Sequence, residues 1–150
     1  MTPTIPQLCA SFDSHSVRYV LIGGAAVNFH GFNRYTDDID VLIEATPENA
    51  QAAIEALRDL GLGTAWLIEA EGLLEKPITL FRDVVYIDIQ TRTRGIDFAE
   101  AWERRETMVL DGQRVCYLSL QDLIASKEAA GREQDLRDLE WLRRFERGEL

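Results

Sequence analysis

Two β-rich runs, VRYVLI at residues 17–22 and DIDVLI at 38–43, are separated by a Gly-Gly pair and by room for only one or two helical turns. The first run is β-branched and aromatic and ends at Gly23-Gly24, which predicts a buried strand entering a tight turn. Ala25 to His30 read as a short helix that Gly31 stops. The second run predicts another strand. A chain that sets strand, turn, helix and strand so close together is restricted to architectures in which helices pack on a sheet.

The remaining chain extends this pattern. IPQLCASFD (5–13) spaces Ile5, Leu8, Cys9 and Phe12 as one face of a helix. Thr46-Pro47-Glu48 starts a helix with proline in its first turn, and PENAQAAIEALRDLG stays amphipathic up to Gly61. Residues 61–77 hold no clear period and read as irregular or helical. ITLFR (78–82) and VVYIDIQT (84–91) predict strands, FAEAWERR (98–105) a short helix, and TMVLDGQRVCYL (107–118) a hairpin turning at Asp111-Gly112. Ser119, with Asp122 three residues on, resembles a capping box opening a helix that ends at Gly131. A last helix, about 133–147, has Leu136, Leu139, Trp141, Leu142 and Phe145 on its apolar side. The order gives a mixed α/β (α+β) fold with C-terminal helices. At 150 residues it fits one domain, with a core at about 17–118 and a helical tail at about 119–147.

Composition bounds the partners. Apolar residues make up 46% and charged residues 28%, as in globular proteins. No apolar run approaches the roughly 18 residues that span a bilayer, and MTPTIPQLCASFD has neither the basic start nor the apolar stretch of a leader. The expectation is a cytoplasmic protein with no membrane partner. Cys9 and Cys116 read as reduced core thiols. Asp and Glu outnumber Lys and Arg by 26 to 16, a formal charge of −10. That disfavours an extended nucleic-acid interface, which needs cations against phosphates. It suits a cationic small molecule, a protein, or a nucleotide that arrives with its metal.

Period-two alternation decides what the aspartates can do together. In DIDVLI, Ile39, Val41 and Ile43 face one way while Asp38, Asp40 and Leu42 face the other. The two carboxylates stand roughly 7 Å apart along the strand and can converge on one hard cation such as Mg²⁺. In VVYIDIQT, Tyr86, Asp88 and Gln90 share a face, and a lone buried Asp88 is costly without a partner. If the two strands are neighbours, three carboxylates meet on one side of the sheet. If they lie apart, Asp37-Asp38 merely ends a turn and Asp88 sits near an edge. A Gly-Gly turn beside such a cluster, leading into a helix, offers backbone N–H groups to phosphate.

GG-A-A-V-x-x-H-G-x-x-R-x-T-x-D-I-D resembles the glycine and Asp-x-Asp motifs of nucleotidyltransferases of the DNA polymerase β-like superfamily, with Asp88 as their third carboxylate. More narrowly, the chain is similar to minimal members related to AbiEii-type toxins and to small antibiotic nucleotidyltransferases. LIASKEAAGREQDLRDLEWL is similar to their helical tail. The resemblance implies the nucleotidyltransferase fold, a mixed sheet with helices mainly on one face. It assigns Gly23 and Gly24 to the phosphate-contacting turn, Asp38 and Asp40 to paired metal ligands, and Asp88 to the metal on the acceptor side. Arg34 and Thr36 match the R-x-T before the aspartates, where they reach a phosphate or tie the loop. Lys127 is a candidate for the triphosphate charge, against an exposed lysine beside Glu128. Arg132 and Asp135 match GR-x-x-D and pair at the turn between the last helices. His30 reads as a packing contact rather than a base. One departure is Gly24-Ala25 where many members have Gly-Ser, so the phosphate grip falls to backbone amides.

The implied chemistry is transfer of a nucleoside monophosphate from NTP, ATP among them, to a hydroxyl, with two Mg²⁺ ions and no serine or cysteine nucleophile. The acceptor is a small molecule or protein, in a toxin–antitoxin or resistance setting, with an antitoxin-type protein partner or a homodimer compatible with so short a chain. The alternative is a catalytically degenerate protein of the same fold that binds nucleotide or protein without turnover.

Overall fold

The computed structural model describes residues 2–33 and 35–150. Helix α1 (Ile5–Ser14) starts at Thr4, whose hydroxyl accepts from the Gln7 amide while the Gln7 side chain accepts from the Thr4 amide. This exchange satisfies two donors that a helix start otherwise leaves free. Strand β1 (Tyr19–Ile22), helix α2 (Gly23–Phe29) and strand β2 (Ile39–Ile43) follow as the glycines and β-branched runs predict. Thr46 caps α3 (Pro47–Asp59) by accepting from the Asn49 amide at 3.2 Å. Pro47 occupies the first turn, where a missing N–H costs nothing.

The stretch at 61–77 folds as a 3₁₀ turn (Gly63–Leu67) and helix α4 (Ala70–Glu75). Then come β3 (Ile78–Arg82), β4 (Tyr86–Gln90), α5 (Phe98–Arg104), β5 (Glu106–Leu110), β6 (Gln113–Tyr117), α6 (Leu120–Ala130) and α7 (Glu133–Glu146). The β5–β6 hairpin turns through Asp111 and Gly112, both at positive φ (51° and 79°), as the Asp-Gly pair predicts. At Ser119 only half of the expected capping box forms. The hydroxyl accepts from the Asp122 amide at 3.1 Å, but the Asp122 carboxylate takes a two-point pair with Arg104 at 2.7 and 3.1 Å. A bidentate charged pair outcompetes the return bond to a neutral amide.

The strands form one mixed sheet in the order β3-β4-β2-β1-β6-β5. β1 runs antiparallel to β2 and parallel to β6, β2 runs parallel to β4, and the β3–β4 and β5–β6 pairs are antiparallel. Alternation puts Tyr19, Leu21, Val41, Ile43, Ile87 and Ile89 on one face. α1 packs there, with the Phe12 and Tyr19 rings 4.9 Å apart, and a Ser11 hydroxyl bond to the Ala56 carbonyl (2.6 Å) ties α1 to α3. These side chains are buried, each contributing about 1.5–3 kcal/mol. The opposite face holds Val20 and Leu42, also buried, and then Ile22, Asp40 and Asp88 beside an open cleft. Among the described residues, no helix is long and apolar enough to cross a membrane.

Candidate active site

β2 and β4 are neighbours, and their register sets Asp40 directly opposite Asp88. The arrangement with the two strands apart is therefore not the one observed. Asp38, two residues before Asp40, lines the same cleft of about 570 Å³. Ile22, at the end of β1, lies opposite Asp40 on its other side, so the chain turns at Gly23 immediately beside the carboxylates. Gly23 adopts φ +61°, and a Cβ there would stand 2.9 Å from Asp40 Cγ and closer still to Oδ2. Both the backbone angle and the space require glycine. Gly24 and Ala25 follow, buried in the first turn of α2.

The site contains a cation of its own. Arg82, at the end of β3, places Nη1 2.5 Å from Asp88 Oδ1 and Nη2 3.7 Å from Asp38 Oδ2. Its guanidinium also stacks 4.9 Å from the centre of the Tyr86 ring. Among the described residues, Asp40 has no such counter-ion at contact distance. Burial, the charge of Asp88, a hydrogen bond shared with Asp88, and then Asp38 push its carboxyl up from the ordinary 3.8 to about 7, with Lys127 acting weakly the other way. Asp38 is raised as well, by burial and then by Asp88, with Arg82 opposing. Among the described residues, no three acidic, histidine or cysteine side chains converge as a ready cation cage. Asp38 and Asp88 turn to Arg82 instead.

Lys127 is buried, not exposed beside Glu128. Its Nζ lies 3.2 Å from Asp135 Oδ1 and 3.0 Å from Asp138 Oδ2, both fully buried carboxylates from α7. Arg132 donates from Nε to Asp135 Oδ2 at 2.7 Å and from its amide to the same oxygen, closing the turn between α6 and α7 as GR-x-x-D predicts. Thr36 donates its hydroxyl to the Asp38 carbonyl at 3.1 Å, which ties the loop rather than facing the cleft. Arg34 lies outside the described residues. His30 meets the Leu118 carbonyl at 2.7 Å and the edge of the Tyr117 ring, a packing contact.

Three arginines at or beside the cleft escaped the sequence reading. Arg82 is legible only once β3 and β4 are recognised as a hairpin, because alternation then brings it to the face of Asp88. Arg92 and Arg94 line the cleft, and their one signal is a TRTR run after the Asp88 strand in an acidic chain.

A family model described as "Nucleotidyltransferase of unknown function (DUF6036)" matches residues 5–143. No curated protein matches the chain. Among solved structures, an antigenic nucleotidyltransferase-like protein from Paracoccidioides brasiliensis superimposes with a TM-score of 0.58 at 19% identity, covering 92% of this chain and 72% of that one. A candidate nucleotidyltransferase from Thermotoga maritima gives 0.54 at 14% identity, covering 95% of this chain and 89% of its own. At these identities the likeness establishes the fold.

Proposed function

The chain belongs to the DUF6036 family of nucleotidyltransferases of unknown function, and from that premise we propose that it transfers a nucleoside monophosphate from a nucleoside triphosphate to an acceptor hydroxyl in a magnesium-dependent reaction. The observation that carries this reading is the register of Asp40 against Asp88, with Asp38 on the same cleft. These residues fit a hard divalent cation. All the donors are carboxylate oxygens, and burial, then the neighbouring Asp88, push the Asp40 carboxyl up, a cost that a cation between them would relieve. Bound by Asp38, Asp40 and Asp88, magnesium would supply charge neutralisation and a more acidic acceptor hydroxyl.

The chain's own residues do the rest. Asp88 lies beside Asp40 on the acceptor side and receives the hydroxyl proton. Gly23, with no side chain, leaves the backbone of the turn open to phosphate oxygens, and Ala25 adds no hydroxyl to that grip. Arg82 holds Asp38 and Asp88 in place until they are needed. Lys127 serves as cleft wall and as positive charge near Asp40, since its ammonium is already shared by two aspartates. In this reading the acceptor is a small molecule or a protein, and an AbiEii-like setting with an antitoxin-type partner is tested by co-purification.

A second reading, a binding module without turnover, draws on one observation, the Arg82 guanidinium seated against Asp88 and Asp38. Calorimetry with a non-hydrolysable ATP analogue, with and without Mg²⁺, tests the first. Magnesium-dependent binding that disappears in an Asp38→Ala/Asp40→Ala variant supports it. Binding indifferent to both magnesium and the aspartates refutes it.

A further inference from the structure

The segment after β4 carries two arginines, Arg92 and Arg94, for which the described residues offer no partner. Arg92 and Arg94 are exposed, line the same cleft as the aspartates, and among the described residues have neither ion pair nor hydrogen bond. Among the described residues, the other cations of the site are committed: Arg82 to Asp88, Lys127 to Asp135 and Asp138, Arg132 to Asp135. The segment itself is firmly anchored. The Thr91 hydroxyl donates to the Lys76 carbonyl at 2.7 Å, and the Thr93 hydroxyl to Gln90 Oε1 at 2.5 Å. Gly95, at φ +79°, lies so close to α6 that a Cβ would stand 2.8 Å from the Ala125 carbonyl oxygen. A fixed loop that presents two unpaired guanidiniums into a cleft, in a chain of net charge −10, is built for an anion.

The sheet register says which anion. Ile22, Asp40 and Asp88 form one row across three strands. β1 is antiparallel to β2, so Gly23 lies beyond the row toward Ile39. β4 is parallel to β2 and ends at Gln90, which pairs with Leu42, so the segment that carries Arg92 leaves the sheet on the opposite side of the row from Gly23. The glycine turn and the arginine loop thus flank the carboxylates from opposite ends. In phosphoryl transfer the attacking and leaving oxygens stand in line on opposite sides of phosphorus. If the pyrophosphate departs on the Gly23 side, the hydroxyl arrives from the side of Arg92 and Arg94.

Resting on the transfer reading above, we infer that Arg92 and Arg94 bind a phosphate group carried by the acceptor, which makes the acceptor a phosphorylated hydroxyl compound rather than a cationic one. Its hydroxyl oxygen forms the new bond to the α-phosphorus, the bond between that phosphorus and the bridging oxygen of pyrophosphate breaks, and the hydroxyl proton passes to Asp88. Two free arginines in an acidic chain suit a compact phosphate ester. The 3′ end of an oligonucleotide offers the same chemistry and forms the second arm of the test.

Ribose 5-phosphate, a five-residue oligoribonucleotide and a non-hydrolysable ATP analogue are titrated by NMR in Mg²⁺ into the wild type and an Arg92→Gln/Arg94→Gln variant. Both side chains are unpaired and exposed, so the variant should melt as the wild type does. The expected result is a loss of about tenfold or more for ribose 5-phosphate, with the ATP analogue unaffected. The same loss for the oligonucleotide alone keeps the arginine assignment and moves the phosphate to a nucleic-acid end. A matching loss for the ATP analogue assigns the arginines to the donor and overturns the inference, as does equal binding, or no binding, of both phosphate probes by wild type and variant. An ATP analogue that fails on the wild type while ribose 5-phosphate still depends on the arginines sinks the transfer reading instead.

Discussion

Replacing Asp40 with asparagine in the metal-free protein should change how stability depends on pH, and the sign follows from the site. The Asp40 carboxyl is pushed up from 3.8 to about 7 when folded, whereas in the unfolded chain it ionises normally. A raised acid contributes its stability below the unfolded value and loses it as pH rises toward the folded value. Between about pH 4 and pH 7 the wild type therefore loses stability, and above that the effect levels off. A shift of about 3 units at ~1.4 kcal/mol each gives an upper limit of about 4 kcal/mol. The side chain is only partly screened from water, so about 2 kcal/mol is the lower bound. Urea unfolding in EDTA at pH 5, 6, 7 and 8 reads this directly. The Asp40→Asn curve should lack the decline, and since part of the loss is complete below pH 5, the gap between the two proteins should shift by about 1–3 kcal/mol toward the variant from pH 5 to pH 8. Added Mg²⁺ at pH 8 should restore the wild type and leave the variant unchanged. Parallel stability curves across the four pH values would refute the strained-carboxylate account, whatever their constant offset.

Gly23→Ala should cost about 1–3 kcal/mol, because it forces a side chain into left-handed φ and pushes the Asp40 carboxyl aside. Urea unfolding shows the cost, and magnesium calorimetry should show a weakened cation site; an unchanged protein in both assays would mean that the turn relaxes freely. Lys127→Met should cost about 3–5 kcal/mol, since it removes the ammonium that the buried Asp135 and Asp138 carboxylates share. Adding Asp138→Asn should recover part of that loss, and a single-variant loss below about 1 kcal/mol would show that the ammonium is not what holds α6 to α7.

Much of the fold was legible because its strands are short, apolar and alternate cleanly. DIDVLI sorted its aspartates from Val41 and Ile43 by parity alone, and parity holds wherever a strand lands. The partner of that strand was not legible. β3 and β4 both follow α3, and nothing local states which one docks beside β2. The burial of Lys127 was hidden for a related reason: its partners, Asp135 and Asp138, belong to another helix, while in sequence it stands beside Glu128 and Asp135 pairs with Arg132. Asp122 misled differently, because a capping box is a local pattern and Arg104, which overrides it, comes from α5. The stretch at 61–77 carried no period because its helical pieces are too short to repeat one. Local rules reached the elements and the faces of their side chains, while adjacency and ion pairing depended on the tertiary fold.

The parallel pairing of β2 with β4 also has a consequence in time. Asp40 and Asp88 are separated in the chain by α3, the 3₁₀ turn, α4 and β3, so their meeting requires a long crossover to close. Contacts of such large sequence separation are slow, since the entropy of closure must be met before the pairing rewards it. Asp38 and Asp40 leave the ribosome early, beside their glycine turn, but with half of their partners unsynthesised. A nascent or partly folded chain therefore presents an isolated Asp pair with weak hold on any cation. If the site holds a cation as proposed, tight binding would belong to the chain in which β2 and β4 have paired, and its onset during refolding would time that pairing.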